Sequence, residues 1–284
     1  MKYKEVYERA AARLQQAGVE EAALDARLLL EEACGTDRNT LLAHPDRMLS
    51  EEERTSFEKM VSAREKRIPL QQITGYCDFM GLRFYVNQDV LIPRQDTENL
   101  VEEAMRYLHD GMRILDVCTG SGCILLSLLR YSNGCKGIGI DLSDEALSVA
   151  RKNAEALELS GQASFFQGDL FAALVSAGRE EKFELLVSNP PYIRSDVIET
   201  LMPEVKDHEP RMALDGDADG LIFYRRICRE ALPYLCGGAR IVFEIGYDQA
   251  ADVSGIMEEA GYRGIETIKD YAGNDRIVTG VYFG

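Results

Sequence analysis

Ile114-Leu115-Asp116-Val117-Cys118-Thr119-Gly120-Ser121-Gly122 decides the fold. A short apolar run closes on a glycine-spaced loop, and from Ile124 to Arg130 the apolar residues recur at helical spacing, which predicts strand, tight turn and helix in succession. Glycines at such a turn let the backbone approach a ligand closely. About twenty residues on, Asp141 ends a second apolar run, where a carboxylate can accept hydrogen bonds from two ribose hydroxyls. The dinucleotide fingerprint needs a third glycine, and Leu125 stands in its place, which argues against a nicotinamide dinucleotide. Asp116 before the loop can orient it or accept from the amino-acid end of S-adenosylmethionine. Asp169, in Gln167-Gly168-Asp169-Leu170, follows a third run and can accept from an adenine amine with Leu170 packed nearby. Any of these acids alone could be a solvated strand end or a helix cap. Three at successive strand ends point to an adenosine cofactor.

Outward from that loop the same alternation continues. Ile114–Val117, Gly137–Ile140, Ser164–Phe166, Leu185–Val187 and Arg240–Phe243 are apolar runs separated by helical patterns, the signature of a parallel sheet covered on both faces. Residues 264–269 and 276–282 read as an antiparallel pair closing one edge. Before the sheet, Tyr3, Tyr7, Ala10 and Leu14 recur at helical spacing, as do Leu24, Leu28 and Leu29, which predicts two amphipathic helices. Ser50 with Glu53 forms a capping box for a third helix that must end before Pro69. Gly75 to Val90, with apolar residues around Gly81, reads as a β-hairpin. The expected division is a helical domain at 1–74, a hairpin linker at 75–93 and a catalytic domain at 94–284.

Asn189-Pro190-Pro191-Tyr192 follows directly on the run Phe183–Ser188. As a plain turn it would only close a strand. At the carboxyl end of a strand in an open α/β sheet, however, it lies where ligands bind. An Asn side-chain oxygen and the next carbonyl can each accept one N–H of a planar NH₂ group while an aromatic ring packs against it, and two prolines stiffen the turn. That arrangement suits N-methylation of an adenine or of a glutamine equally.

Composition narrows the field. The chain has 284 residues, 46% hydrophobic and 28% charged, with room for two domains. Residues 1–74 carry 12 Lys and Arg against 14 Asp and Glu, so nearly all of the net charge of −16 falls on the remainder. A surface that repels phosphates gains little from counterion release, and tight nucleic-acid binding is not expected. The cluster Arg64, Lys66 and Arg67 reads as a solvated helix end, with an RNA contact as the alternative. Met1 to Ala10 is charged rather than apolar and no run approaches a bilayer span, so a cytoplasmic protein without membrane contact is expected. Seven cysteines without a C-x-x-C pair, and only three scattered histidines, argue for reduced thiols and no metal site. Asp215-Gly216-Asp217-Ala218-Asp219-Gly220 opens like a calcium loop, but Arg226 holds the twelfth position that needs a glutamate. It is read instead as a polar loop capping a helix from Leu221, at the mouth of the site.

Taken together, these motifs resemble the HemK-type glutamine methyltransferases, which modify the Gln of the Gly-Gly-Gln loop in peptide chain release factors. The likeness runs through Gln72–Gly75, Phe79–Gly81, Val90–Arg94, Thr97-Glu98, the glycine loop and Asn189–Tyr192. It continues through Glu209-Pro210, Ala213-Leu214, Asp219–Leu221, Glu244–Gly246, Lys269-Asp270 and Ala272–Arg276. Gln95-Asp96, Val117-Cys118 and Asp217 depart from the family's usual Pro-Glu, Leu-Gly and Gly. The resemblance implies a Rossmann-like class I methyltransferase sheet with a small helical N-terminal domain that helps recognise the release factor. It implies S-adenosylmethionine held by Asp116, Cys118, Thr119, Gly120, Ser121, Gly122, Asp141, Asp169, Leu170 and Asn189, with Arg94 and Thr97 as further candidates. Asn189, Pro190 and Tyr192 would be catalytic, and Pro191 would join them against the substrate. A ribosomal-protein glutamine methyltransferase, a DNA adenine methyltransferase and a silent adenosine-binding module remain as rivals.

Overall fold

A computed structural model describes every residue from Met1 to Gly284. In chain order it contains helices α1 (Tyr3–Gln16), α2 (Ala22–Cys34), α3 (Arg38–Ala43), α4 (Glu51–Glu65) and α5 (Leu70–Thr74), then strands β1 (Tyr76–Phe79) and β2 (Leu82–Tyr85). Helix α6 (Gln95–Met105) leads into β3 (Arg113–Val117), α7 (Cys123–Arg130), β4 (Lys136–Asp141), α8 (Asp144–Ala156), β5 (Ala163–Gln167), α9 (Ala172–Ser176) and β6 (Phe183–Ser188). After a short helix α10 (Pro203–Lys206) come α11 (Ile222–Glu230), β7 (Leu235–Glu244), α12 (Ala250–Glu259), β8 (Arg263–Lys269) and β9 (Asp275–Tyr282). No helix is long and apolar enough to cross a membrane.

Seven strands form one sheet in the order β5-β4-β3-β6-β7-β9-β8, parallel except for β9, which runs antiparallel to both neighbours. The parallel core and the antiparallel edge pair are as expected. The central strands are buried on both faces: Ile114, Leu185 and Val187 enter one apolar cluster, Leu115, Val117 and Leu186 the other. That two-sided burial explains why these strands read as unbroken apolar runs. From β3 the chain winds outward through β4 to β5, then returns to place β6 on the other side of β3. The carboxyl ends of β3 and β6 therefore flank a topological switch point, the crevice where such sheets bind ligands. Val117 pairs with Ser188 there, and the Ser188 hydroxyl donates to the Val117 carbonyl at 2.5 Å.

The structure divides into two compact units, one of residues 77–201 and 209–284, the other of residues 1–76 together with Met202–His208. The second, helical unit thus takes in a segment far along the chain, which no local pattern in the sequence announces. Its core holds Tyr3, Val6, Ala10, Leu14, Leu29, Phe57 and Val61. Helix α4 begins with the expected capping box, Ser50 Oγ accepting from Glu53 N at 3.1 Å while Glu53 Oε2 accepts from Ser50 N at 2.7 Å. On α2 the buried face is Ala22, Asp25, Ala26, Leu29 and Leu30, so Leu24 and Leu28 are only half-buried. The displacement has an electrostatic cause. Asp25 turns inward to accept from Arg64 Nε at 2.7 Å, and Arg64 and Arg67 together hold Glu204 at 2.9 and 2.6 Å. Arg64 and Arg67 are thus committed to carboxylates within this unit, which corrects both the solvated-end and the RNA reading of their cluster.

Candidate active site

The loop after β3 is shaped by backbone conformations that side chains resist. Gly120 and Gly122 have φ of 54° and 79°, and Cys118 adopts 61° despite carrying a Cβ. A family position usually filled by glycine is here a left-handed cysteine, so the substitution leaves the turn intact at a local cost of about 1–2 kcal/mol. Asp116 lies below the loop with no solvent exposure, its Oδ2 accepting from Thr119 Oγ1 at 2.6 Å and its Oδ1 without a partner. Burial pushes its pKa up to about 7, against the opposing effect of Thr119. Gly139 on β4 makes room for this packing. A Cβ there would meet Thr119 Oγ1 at 2.8 Å and the Phe165 ring at 2.7 Å.

Asp141 ties the loop to the next turn. Its Oδ2 accepts from Gly120 N at 2.9 Å and its Oδ1 from Ser143 N at 3.0 Å. Burial raises its pKa and these backbone donors counter the rise. Each oxygen keeps a second lone pair for another donor. Beyond β5, Asp169 forms a two-pronged pair with Arg226 of α11, at 2.9 and 3.1 Å.

Across the switch point, Asn189 leaves β6 with its Nδ2 donating to Thr97 Oγ1 of α6 at 3.3 Å. Its Oδ1 is thereby left to accept from something else. Tyr192 donates through its hydroxyl to Glu244 Oε1 at 3.2 Å, at the carboxyl end of β7. Burial is the first cause of the raised pKa of Tyr192, with the Glu244 charge next. Gln249 pins the turn from behind: its Nε2 donates to the Tyr192 carbonyl at 3.0 Å and to the Gly220 carbonyl at 3.3 Å, while its Oε1 accepts from Gly246 N at 2.9 Å. Gly220 is required for that approach, because a Cβ there would lie 2.4 Å from the Tyr192 oxygen.

Between these two constructions lies a cleft of about 310 Å³, within the range usual for small-molecule sites. Of the residues singled out in the sequence, Cys118, Thr119, Gly120, Ser121, Asp141, Asp169 and Leu170 line it from one side and Arg94, Thr97, Asn189 and Pro191 from the other. Asp116, Gly122, Pro190 and Tyr192 are not on its wall. Asp116 is turned under the loop, Gly122 starts α7 against Ala150 and Leu126, and Tyr192 is drawn toward Glu244. Arg94 is anchored by both oxygens of Glu209, at 2.7 and 2.8 Å. Asp215, Met212 and Ala213 from the polar loop and its approach also reach the wall, which sets that loop at the mouth. Asp219 accepts from Leu221 N at 3.1 Å just ahead of α11, but Leu221 itself occupies the N-cap and no side chain caps the first turn, so the loop does not cap the helix as expected.

Leu142, Ile124 and Phe223 supply apolar wall that the sequence reading did not single out. Glu244 and Gln249 were also missed as site residues. The only sequence signal for Glu244 is the fragment Glu244-Ile245-Gly246, which carries no chemistry until β7 places it behind the turn, and Gln249 has none.

Two family profiles match the chain, one described as the PrmC N-terminal domain over residues 5–75 and one as a methyltransferase domain over residues 108–228. A release factor glutamine methyltransferase from Caulobacter vibrioides is 42% identical, the match covering 95% of this chain and 92% of that protein. Its counterpart from Clostridium acetobutylicum is 40% identical over the full length of both. Among solved structures, a methyltransferase from Pyrococcus furiosus matches with a TM-score of 0.53 at 17% identity, over 72% of this chain and 90% of that one, a likeness of fold.

Proposed function

The chain belongs to the release factor glutamine methyltransferases, and on that premise we propose that it transfers a methyl group from S-adenosylmethionine to the side-chain amide nitrogen of a glutamine in a peptide chain release factor, in the Gly-Gly-Gln loop. The observation that carries the reading is the orientation of Asn189, whose NH₂ end is taken by Thr97 so that its oxygen is free at the edge of the cleft.

The residues present fit the cofactor. A Cβ at Gly120 would meet nothing within 4 Å, so the loop opens onto the cleft. Asp141 keeps acceptor capacity for ribose hydroxyls, and Leu142, Leu170 and Phe223 offer apolar wall for a base. Asp169, held by Arg226, would accept from an adenine amine, and Thr119 to Ser121 would hold the remainder. Asp116 acts through the loop rather than by contact. When bound, the cofactor supplies an electrophilic methyl group on a sulfonium.

The chain's own part is to make an amide nitrogen nucleophilic. Asn189 Oδ1 accepts one of its hydrogens and holds the NH₂ group beside Pro191, while the Pro190 carbonyl, off the cleft wall, would take the other once the substrate is seated. As the new bond forms, positive charge grows on the nitrogen and both hydrogen bonds strengthen, so they stabilise the transition state more than the ground state. No strong base is needed beforehand, because the nitrogen becomes acidic only as it is alkylated, and its proton then passes to water. Tyr192, bonded to Glu244, backs the turn rather than walling the cleft. The helical unit is assigned a role in recognising the release factor, in the cytoplasm where that substrate acts.

Transfer of labelled methyl onto purified release factor, duplex DNA and ribosomal protein tests the reading. Label on the release factor, with a mass gain of one methyl on the target Gln, is expected. Label confined to DNA or to ribosomal protein overturns it.

A further inference from the structure

The spacing Asp215-Gly216-Asp217-Ala218-Asp219-Gly220, which fits neither a calcium loop nor a helix cap, is explained by what the loop lies on. A Cβ at Gly216 would stand 2.8 Å from Tyr192 Cα and 2.9 Å from the Pro191 carbonyl oxygen, and one at Gly220 would stand 2.4 Å from the Tyr192 oxygen. The loop is therefore pressed, backbone on backbone, against the turn Asn189–Tyr192. Beyond the turn the two segments run side by side: Ile193 N donates to the Leu214 carbonyl at 3.0 Å, Gly216 N to the Ile193 carbonyl at 2.8 Å and Ser195 N to the Asp217 carbonyl at 3.1 Å. Gln249 closes the join. Its side-chain Nε2 donates to the carbonyls of Tyr192 and Gly220, one in each segment, and its Oε1 accepts from Gly246 N just past β7. Carbonyls only accept and an N–H only donates, so this buried amide has one possible orientation. The set of contacts also selects glutamine: a glutamate lacks the donors, a lysine or arginine the acceptor, an asparagine the length.

We propose that Gln249 is a positioning residue for methyl transfer: by bonding the Tyr192 and Gly220 carbonyls to one amide, it makes the turn and the polar loop a single wall that holds Asn189 in register with a seated substrate amide. This rests on the reading of Asn189 as the acceptor for a substrate NH₂. The turn brings Asn189 and Pro191 to the cleft, and the loop with its approach brings Met212, Ala213 and Asp215, so the joined wall faces the substrate from two segments at once. Gln249 itself lies behind that wall and not on it. Without its amide the two carbonyls lose their donor, and turn and loop draw apart to recover hydrogen bonds. A displacement of about 1 Å in a group that orients a reacting atom costs up to about 10²-fold in rate.

The test sets Gln249→Leu and Gln249→Glu against the parent on purified release factor, with thermal melts to confirm folding. Leucine removes all three bonds, and kcat per folded enzyme is expected to fall by about 10-fold or more. The cofactor Kd should stay within about 2-fold, since Gln249 is not on the cleft wall. Glutamate keeps the shape and the acceptor for Gly246 N but, when ionised, turns lone pairs toward two carbonyls. Burial raises the pKa of such a carboxyl, and its protonated form regains one donor. The kcat of Gln249→Glu relative to the parent should therefore rise by about 3-fold or more as pH falls from about 8 to about 6, while the same ratio for Gln249→Leu stays flat. A purely structural role would lower the amount of folded enzyme and leave turnover per folded molecule at the parental value. Parental kcat in folded Gln249→Leu, a flat ratio for Gln249→Glu, or a loss confined to cofactor Kd overturns the proposal. Should Gln249→Leu fail to fold, the pH ratio of Gln249→Glu decides alone. If the parent enzyme itself transfers nothing to release factor, the glutamine reading fails and the proposal with it; parental transfer with unaffected variants sinks the proposal only.

Discussion

The two sides of the cleft are built from different materials. On the cofactor side the turn is held by backbone amides bonded to a carboxylate, Gly120 N and Ser143 N on Asp141, with glycines where the chain bends. On the substrate side, behind Asn189, the structure is a set of side chains bonded to one another, Asn189 to Thr97 and Tyr192 to Glu244, from three separate elements. A backbone cradle is continuous and redundant, so loss of one contact weakens it in part. Separate side-chain pairs carry orientation through single bonds. Truncation on the substrate side should therefore strike turnover, and truncation on the cofactor side should strike affinity.

The sharpest division between the two sides comes from Asn189→Ala. Deleting one oriented contact to developing charge typically costs about 10²–10³ in rate. We expect kcat to fall by at least about 10², with cofactor affinity little changed, measured by single-turnover transfer and calorimetry. Near-normal turnover would erase the contrast between the two sides. Asp141→Ala is the converse, with an expected loss of about 1.5–3 kcal/mol in cofactor binding for hydrogen bonds to a charged acceptor. If calorimetry instead finds unchanged affinity, the cofactor side is held by something other than this carboxylate.

That difference in material also explains what the sequence made legible. Glycines at turns, acids at strand ends and apolar runs are local signals, and Cys118 to Gly122, Asp141 and the parallel sheet with its antiparallel edge pair all followed from them, whereas the order of the strands did not. Thr97 and Glu244 stand 92 and 52 residues from their partners Asn189 and Tyr192, and no spacing rule relates them before the fold exists. Asp116 was legible as important but not in its direction: a strand-end acid can point up into a crevice or down under its loop, and Thr119 with Gly139 decides for the latter. The joining of Met202–His208 to the helical unit has the same character. It depends on Glu204 meeting Arg64 and Arg67, a pairing that composition does not encode. Helices α3 and α5, of six and five residues, were too short to show a period.

A pH dependence tests the buried support of the cofactor side. The Asp116 carboxyl, at about 7 when folded, keeps its proton where the unfolded chain has lost it, so between these two values the folded state binds more protons. The stability it contributes is then present below the ordinary carboxylate range and is lost as pH rises toward 7. Asp116→Asn cannot titrate, so relative to the parent its stability should improve by about 2 kcal/mol between pH 5 and pH 7. Denaturant melts at the two pH values measure the difference. A constant gap would mean that the carboxylate is ionised throughout and stabilised by contacts other than Thr119.

The smallest effect is expected at Cys118. With φ at 61°, glycine would relieve the left-handed strain, a gain of about 1–2 kcal/mol. Against this, glycine widens the unfolded ensemble by about 0.5–1 kcal/mol and forfeits the packing of the thiol against the second apolar cluster. The terms oppose and are similar in size, so Cys118→Gly should shift stability by less than about 1 kcal/mol. Because the turn already has the shape that glycine permits, cofactor affinity should hardly change. Cys118→Val separates this account from simple tolerance, for a β-branched residue fits the left-handed region worst. It should lose stability where glycine does not, and cofactor affinity should fall with the distorted turn. Equal behaviour of the two variants would mean that the loop relaxes to another path, and that the backbone on the cofactor side is less fixed than the side chains facing it.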